Sequence, residues 1–126
     1  MNGIRCGLDG VTDVIELDDE HLLAQLQEAV GGTIEVLEVT PACDLVIDEE
    51  GKLKGYPRNS VATALAEALD IGLAPGDYIA GPAVLIGTNP DGYLGPVPAH
   101  VMEALISVSG HLAREDAPRP STTEER

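Results

Sequence analysis

The sequence predicts a single α+β domain: a mixed, mostly antiparallel sheet with two to three helices packed on it. The patterns along the chain run strands, helix, strands, helix, strands, helix. Tight turn signals at Asp9-Gly10, Gly51 and Asp91-Gly92 favour antiparallel neighbours. A chain of 126 residues with 44% hydrophobic content is long enough for one ordinary core. We expect a compact sheet with the helices on one face.

The first part of the chain predicts four strands and one helix. Apolar alternation in residues 2–10 and a β-rich pattern in residues 11–17 predict a hairpin around Asp9-Gly10. Apolar residues recur at helical spacing between residues 22 and 30, and a Gly-Gly pair ends that helix. Residues 33–40 are β-rich and end at a proline, and residues 45–47 form the centre of the next strand.

The segment from Glu49 to Leu69 carries the best local signals. A Glu-Gly-Lys turn lies between DLVID and KLKGY, which predicts strand, turn and strand, with the second strand in residues 52–56. Asn59 then stands at the N-cap of a helix that ends near Asp70.

The second half predicts a central strand, a short return strand and a last helix. Residues 78–87 are an almost continuous apolar run, interrupted by a Gly-Pro pair that cannot continue a strand ladder. Residues 93–94 follow a strong turn, and Pro98 opens the last helix. The domain is expected to span residues 1–113, because residues 114–126 have no apolar period and are expected to form a disordered tail.

Charge and composition exclude several functions. The net charge of −15 argues against direct nucleic-acid binding, which needs a basic surface, and three tyrosines are the only aromatic residues for stacking. Residues 1–50 carry thirteen acids against one base. An acidic surface is commonly a means of solubility. Without a signal peptide or a long apolar run, we expect a cytoplasmic protein that does not enter the membrane.

Few sequence patterns indicate catalysis. There is neither a phosphate-binding glycine loop nor a pair of Cys-x-x-Cys motifs, so no cofactor or metal is expected. Cys6 and Cys43 have no histidine in a recognisable relation, and a nucleophilic thiol needs such a neighbour. His100 with Glu103, and His111 with Glu115, are expected to be solvated pairs on the last helix. The chain is not expected to be an enzyme.

The start of the Asn59 helix is a candidate anion site. Free N–H groups at a helix start attract anions, and basic residues lie nearby in the sequence. The candidate ligand-binding residues are Lys54, Arg58, Asn59 and Thr63. The alternative is that Asn59 is only a cap and that the bases pair with Glu49 and Glu50.

The order of three segments, EEGKLKGYPRN, SVATAL and GDYIAGPAVLIG, resembles a small uncharacterised domain of bacteriophages and mobile plasmids, Domain of Unknown Function 3846. The resemblance covers roughly residues 10–95 and leaves out the last helix from Pro98. The matching positions are Glu50, Gly51, Leu53, Asn59, Ala62, Thr63, Ala64, Leu65 and Gly81. It implies a setting among accessory genes and brings no activity with it.

That setting favours a non-enzymatic binding protein with a protein partner from the host or its defence systems. An acidic protein could mimic DNA and compete for a DNA-binding protein. The expected interaction face consists of Asp18, Asp19, Glu20, Glu35 and Glu38. The alternative is a module that binds a small anion, such as a nucleotide, at Arg58 and Asn59, and an enzyme ranks third. The sequence leaves the identity of the partner and the oligomeric state open.

Overall fold

Six strands form one antiparallel sheet in the computed structural model, which describes residues 1–116 and the side chains of residues 1–112. The strands are β1 (Asn2–Cys6), β2 (Thr12–Glu16), β3 (Ile34–Thr40), β4 (Cys43–Asp48), β5 (Ala83–Thr88) and β6 (Leu94–Gly95). The helices are α1 (Leu22–Val30), α2 (Ser60–Ala68) and α3 (Ala99–Asp116). The strand order is β2-β1-β5-β4-β3, and β6 pairs with the end of β5.

The predicted α+β class with a mostly antiparallel sheet is confirmed, but the expectation that the helices share one face is wrong. Helices α2 and α3 cover the face that carries Leu45 and Leu85. Helix α1 covers the opposite face, which carries Val46 and Val84. Successive side chains in a strand point to opposite faces; β5 is apolar on both, and β4 contributes Leu45 to one face and Val46 to the other. Each face therefore needs its own cover.

Helix α1 forms where the sequence predicts it. Gly31 ends the helix in the left-handed conformation, with φ of 94°, and its N–H donates to the carbonyl of Gln27. A glycine suits this position because it has no Cβ to resist positive φ. At the other end, the side chain of Asp18 accepts from the N–H of His21 at 2.8 Å.

The predicted strand in residues 52–56 is wrong. Strand β4 already pairs with β3 on one side and with β5 on the other, so no edge is free to accept another strand. The chain instead makes consecutive turns over residues 49–55. Gly51 lies so close to Ala80 that a Cβ would stand 2.4 Å from the Ala80 carbonyl oxygen. Only a glycine allows the turns to approach this closely to the segment that leads into β5.

The predicted interruption at the Gly-Pro pair is confirmed, and it shortens the central strand. Gly81 has φ of 94°, and regular pairing begins only at Ala83. Before that break, the segment makes one isolated bridge, between Arg58 and Ala80. Strand β5 is nevertheless central, since it lies between β1 and β4.

The last helix runs past the predicted start of the tail. Helix α3 continues to Asp116, and residues 117–126 of the predicted tail lie outside the described residues. Within residues 1–116, no helix combines the length and the apolar character needed to cross a membrane.

Candidate functional site

The four residues of the predicted anion site lie in different surroundings. Asn59 is 1% exposed and Thr63 has no exposed surface. Lys54 and Arg58 are exposed, but the ammonium group of Lys54 is bonded to other residues of the protein. The fold therefore does not turn these four side chains towards one ligand-sized surface.

Asn59 uses its whole side chain inside the protein. Its Nδ2 donates to the carbonyls of Cys6 at 2.9 Å and Gly81 at 3.0 Å, and its Oδ1 accepts from the N–H of Ala62 at 3.0 Å. It thus caps α2, as predicted, and also ties that helix to β1 and to the entry of β5. Thr63 acts similarly, because its Oγ1 accepts from the N–H of Ile79 at 3.0 Å.

Lys54 forms an ion pair with a buried carboxylate. Its Nζ lies 2.7 Å from Oδ2 of Asp48, whose side chain has no exposed surface, and 3.1 Å from the carbonyl of Gly31. Burial would raise the pKa of Asp48, but hydrogen bonds from Lys54 and from the N–H of Glu50 hold this pKa below its usual value. The hydrogen bond with Asp48 raises the pKa of Lys54 in turn.

Lys52 and Lys54 each form an ion pair with an acid, as the alternative expects, but the acids are not the predicted ones. The predicted partners were Glu49 and Glu50, whereas Lys54 pairs with Asp48 and Lys52 pairs with Asp77. Asp77 is 25 positions away from Lys52 in the chain, so local sequence could not identify it.

Three of the predicted acids occupy the loop between β2 and α1. Asp19 Oδ1 accepts from the N–H of Leu94 at 2.9 Å, which fixes the loop beside β6. Asp18 accepts from the backbone of His21, and this bond lowers the pKa of its carboxyl group. Glu20 is exposed in the same loop.

A pair of like charges, Glu38 and Asp44, lies on the α1 side of the sheet. Glu38 stands directly opposite Asp44 across β3 and β4, and Asp44 is level with Ile86 of the α1-side cluster. Burial, together with the negative charge of Glu38, raises the pKa of Asp44. Like charges directly opposite on one sheet face destabilise the pairing. Sequence reasoning missed Asp44, because an irregularity between Glu38 and Thr40 shifts the register of β3 and β4 and brings Asp44 opposite Glu38.

These residues form what we call the acidic surface: Asp18, Asp19, Glu20, Glu38 and Asp44. Asp19 contacts Leu94, and Asp44 lies opposite Ile86; both apolar residues belong to the cluster on the α1 side. The loop acids and the Glu38–Asp44 pair therefore both lie on the α1 side, near β6. Glu35 does not join them. It is opposite Ile47, on the side of α2 and α3.

Exposed apolar side chains lie on or beside this same side of the sheet. Leu23 of α1, Val36 of β3 and Tyr93 next to β6 are each at least half exposed. Tyrosine is enriched at protein interfaces, because it offers a large apolar area together with a polar end. Sequence reasoning did not assign these three residues to a site.

The two thiols are held in their neutral form. Cys6 and Cys43 have no exposed surface, and burial raises their pKa to about 12 and about 11 respectively. His100 and Glu103 are both exposed on α3, whereas the side chain of Glu115 lies outside the described part of the chain. Within the described residues, no three His, Cys, Asp or Glu side chains cluster in a way that could hold a metal ion.

Comparison with known proteins gives one family. The sequence model of a family described as a domain of unknown function (DUF3846) matches residues 5–108. The match reaches beyond Pro98 and ends within α3, so the narrower extent expected from the motifs is corrected. A search of curated proteins and a search of solved structures each gave no significant match.

Proposed function

Since the chain belongs to the DUF3846 family, whose description names no activity, we propose a function from its surface. The protein is a non-enzymatic accessory binding protein that holds a basic partner protein against the acidic surface. The observation that carries this proposal is the pair formed by Glu38 and Asp44.

That pair costs folding free energy, because like charges directly opposite on one sheet face repel each other. Among the side chains of residues 1–112, neither Glu38 nor Asp44 forms an ion pair with a lysine or an arginine. Asp44 is partly buried, and an attraction there is stronger than at a fully solvated site. A cationic group from a partner would remove the repulsion and add an attraction. The binding of a basic partner would therefore release a cost already present in the free protein.

The chemistry of such a partner is that of a DNA-binding protein. A surface with closely spaced carboxylates offers a protein that binds phosphates a complementary potential, which accelerates association and selects the partner. In the phage or plasmid setting implied by the resemblance, this partner would be a host or defence component in the cytoplasm. Tyr93 and Val36 would supply the apolar contacts that charge alone does not give.

The alternative, a small anion such as a nucleotide at the start of α2, relies on Arg58. That side chain is exposed beside the helix start. The polar atoms of Asn59 and Thr63 are engaged inside the fold, so an anion would meet one base and the first N–H groups of the helix. This arrangement gives the alternative less support than the acidic surface has.

The test compares two variants with equal charge. Glu38→Gln/Asp44→Asn neutralises the like-charge pair, and Glu67→Gln/Asp70→Asn removes two exposed charges from the end of α2. Asn suits position 70 because Asp70 has φ of 53°, which asparagine tolerates. We expect wild type and the α2 variant to retain a host protein at low salt and the Glu38/Asp44 variant to lose it.

Salt and small phosphates complete the experiment. Binding should be lost at about 1 M salt, where the screening length falls to about 3 Å. Equal loss in both variants would mean that net charge alone matters and would contradict the proposal. A rise in melting temperature with nucleotides that Arg58→Ala abolishes would favour the anion site instead.

A further inference from the structure

A cavity of about 320 Å³ opens on the α2 side of β3 and β4. It lies between the turns at residues 49–53 and the segment of residues 72–80. The apolar part of its wall includes Leu37, Ile47, Leu73 and Ile79. The sheet separates it from the acidic surface, so the two sites are independent.

The charged part of the wall is mostly negative. Three carboxylates, those of Glu35, Glu49 and Asp77, line the cavity together with one ammonium group, that of Lys52, which is paired with Asp77. Asp48 also lines the cavity, but Lys54 compensates its charge. The wall therefore keeps an excess of two negative charges, which favours a cation and disfavours a phosphate.

The environment of Lys52 shows that this wall accommodates an ammonium group. Its Nζ bonds to Oδ1 of Asp77 and lies 4.7 Å from the centroid of the Tyr78 ring. A carboxylate together with an aromatic face is a favourable environment for an ammonium group. The four methylene groups of Lys52 lead this charge to the cavity wall.

The rim of the cavity carries an exposed apolar side chain. Leu53 is 86% exposed, at the tip of the turns that border the opening. Covering this side chain with the apolar part of a ligand would contribute favourable free energy, in proportion to the apolar area removed from water. An apolar stem that enters the cavity would pass this side chain.

We propose that the cavity binds a cationic group carried on an apolar stem. The group is an alkylammonium or guanidinium ion, and its source is either a Lys or Arg side chain of a partner or a free diamine. The stem lies on Leu37, Ile47 and Leu73, and Glu35 and Glu49 receive the charge. The volume is near the lower end of ligand sites, which span about 300–1,000 Å³, and so fits one extended side chain.

The experiment follows backbone amide signals by NMR while ligand is added to the full chain at low salt. The probes are 1,5-diaminopentane for the free source and a short amide-capped peptide with one lysine between leucines for the protein source. Pentanoate, with a similar stem and the opposite charge, is the control ligand. We expect either cation, and not pentanoate, to shift residues 35–37, 47–53 and 72–80. The tighter of the two cations identifies the source.

Matched variants test the role of the wall. Glu35→Gln should weaken binding about two- to fivefold, the effect of one partly exposed charge contact, whereas Glu28→Gln on α1 should leave it unchanged. The Glu38→Gln/Asp44→Asn variant should also bind normally, so failure here is separable from failure of the proposed function. Shifts spread over all acids, equal loss in the Glu28 variant, or tighter binding of pentanoate would each overturn the proposal. The absence of shifts with both cations would overturn it as well.

Discussion

Asn59→Asp is the substitution that best separates a structural role of Asn59 from a ligand role. The introduced side chain has nearly the same shape, and one of its oxygens can still accept from the N–H of Ala62. Its second oxygen, however, replaces a nitrogen that donates to the carbonyls of Cys6 and Gly81. The site offers this oxygen two acceptors and no donor.

The magnitude follows from these contacts. A protonated carboxyl group can donate to one of the two carbonyls and leaves the other without a partner, at a cost of about 1–3 kcal/mol. Burial and the two carbonyls disfavour the ionised form and raise the pKa of the introduced carboxyl group. A rise of about two units would add about 3 kcal/mol at neutral pH. We expect a total loss of about 4–6 kcal/mol at pH 7.

The assay is urea unfolding between pH 4 and pH 8. Because the pKa of the introduced group is higher in the folded than in the unfolded protein, the variant is closest to wild type at low pH. It loses stability as the pH rises through the folded-state value. Asn59→Ala serves as the control. It loses the cap and both donated bonds, at a cost of about 2–4 kcal/mol. This cost should not change between pH 4 and pH 8 relative to wild type, because alanine introduces no ionisable group.

Two results would refute this reasoning. One is a loss for Asn59→Asp that is the same at pH 4.5 and pH 8 relative to wild type. The other is a loss below about 1 kcal/mol for Asn59→Ala, which is the range of a helix cap alone. Either result would mean that the bonds to Cys6 and Gly81 contribute little, and it would return Asn59 to the candidate ligand residues.

Two further predictions concern buried polar groups. Asp48→Asn keeps an acceptor for the N–H of Glu50 but removes the ion pair with Lys54. We expect a loss of about 1–3 kcal/mol at pH 7 in urea unfolding, and no comparable loss for the exposed Glu49→Gln. Because the pKa of Asp48 is lower in the folded than in the unfolded protein, this difference should be constant above about pH 4 and should decrease as the pH falls through the lowered folded-state value; a difference that is the same at about pH 2 as at pH 7 would count against the ion pair. Cys6 and Cys43 should react with a thiol reagent only at the rate of unfolding, since both thiols are buried and neutral. Rapid labelling of the native protein, followed by absorbance, would contradict their buried placement.

The acidic surface shows how far sequence reasoning extends. Asp18, Asp19 and Glu20 are adjacent in the chain, so their grouping needed no fold. Glu35 and Glu38 are three positions apart in a strand, and the two-residue period alone places them on opposite faces. That separation was predictable from the sequence. The position of Asp44 opposite Glu38 required the register of β3 and β4.

Features that depend on neighbouring residues were determined by the sequence itself. Gly31 ends α1, Asn59 caps α2 and the Gly-Pro pair interrupts the run before β5, because each depends on the backbone preferences of a few consecutive residues. The same is true of the turns at Asp9-Gly10 and Asp91-Gly92. These signals predict the elements and their ends, which is enough to identify the fold class.

Features that join distant parts of the chain were decided only by the tertiary structure. Residues 52–56 have the pattern of a strand, but β3 and β5 already occupy both edges of β4. Asn59 looks like a simple cap, and only the carbonyl of Cys6, 53 positions away, gives its amide nitrogen a role. The pairing of Lys52 with Asp77 and the division of the helices between two faces have the same origin. In each case the deciding contact forms between segments that only folding brings together, so no local pattern can encode it.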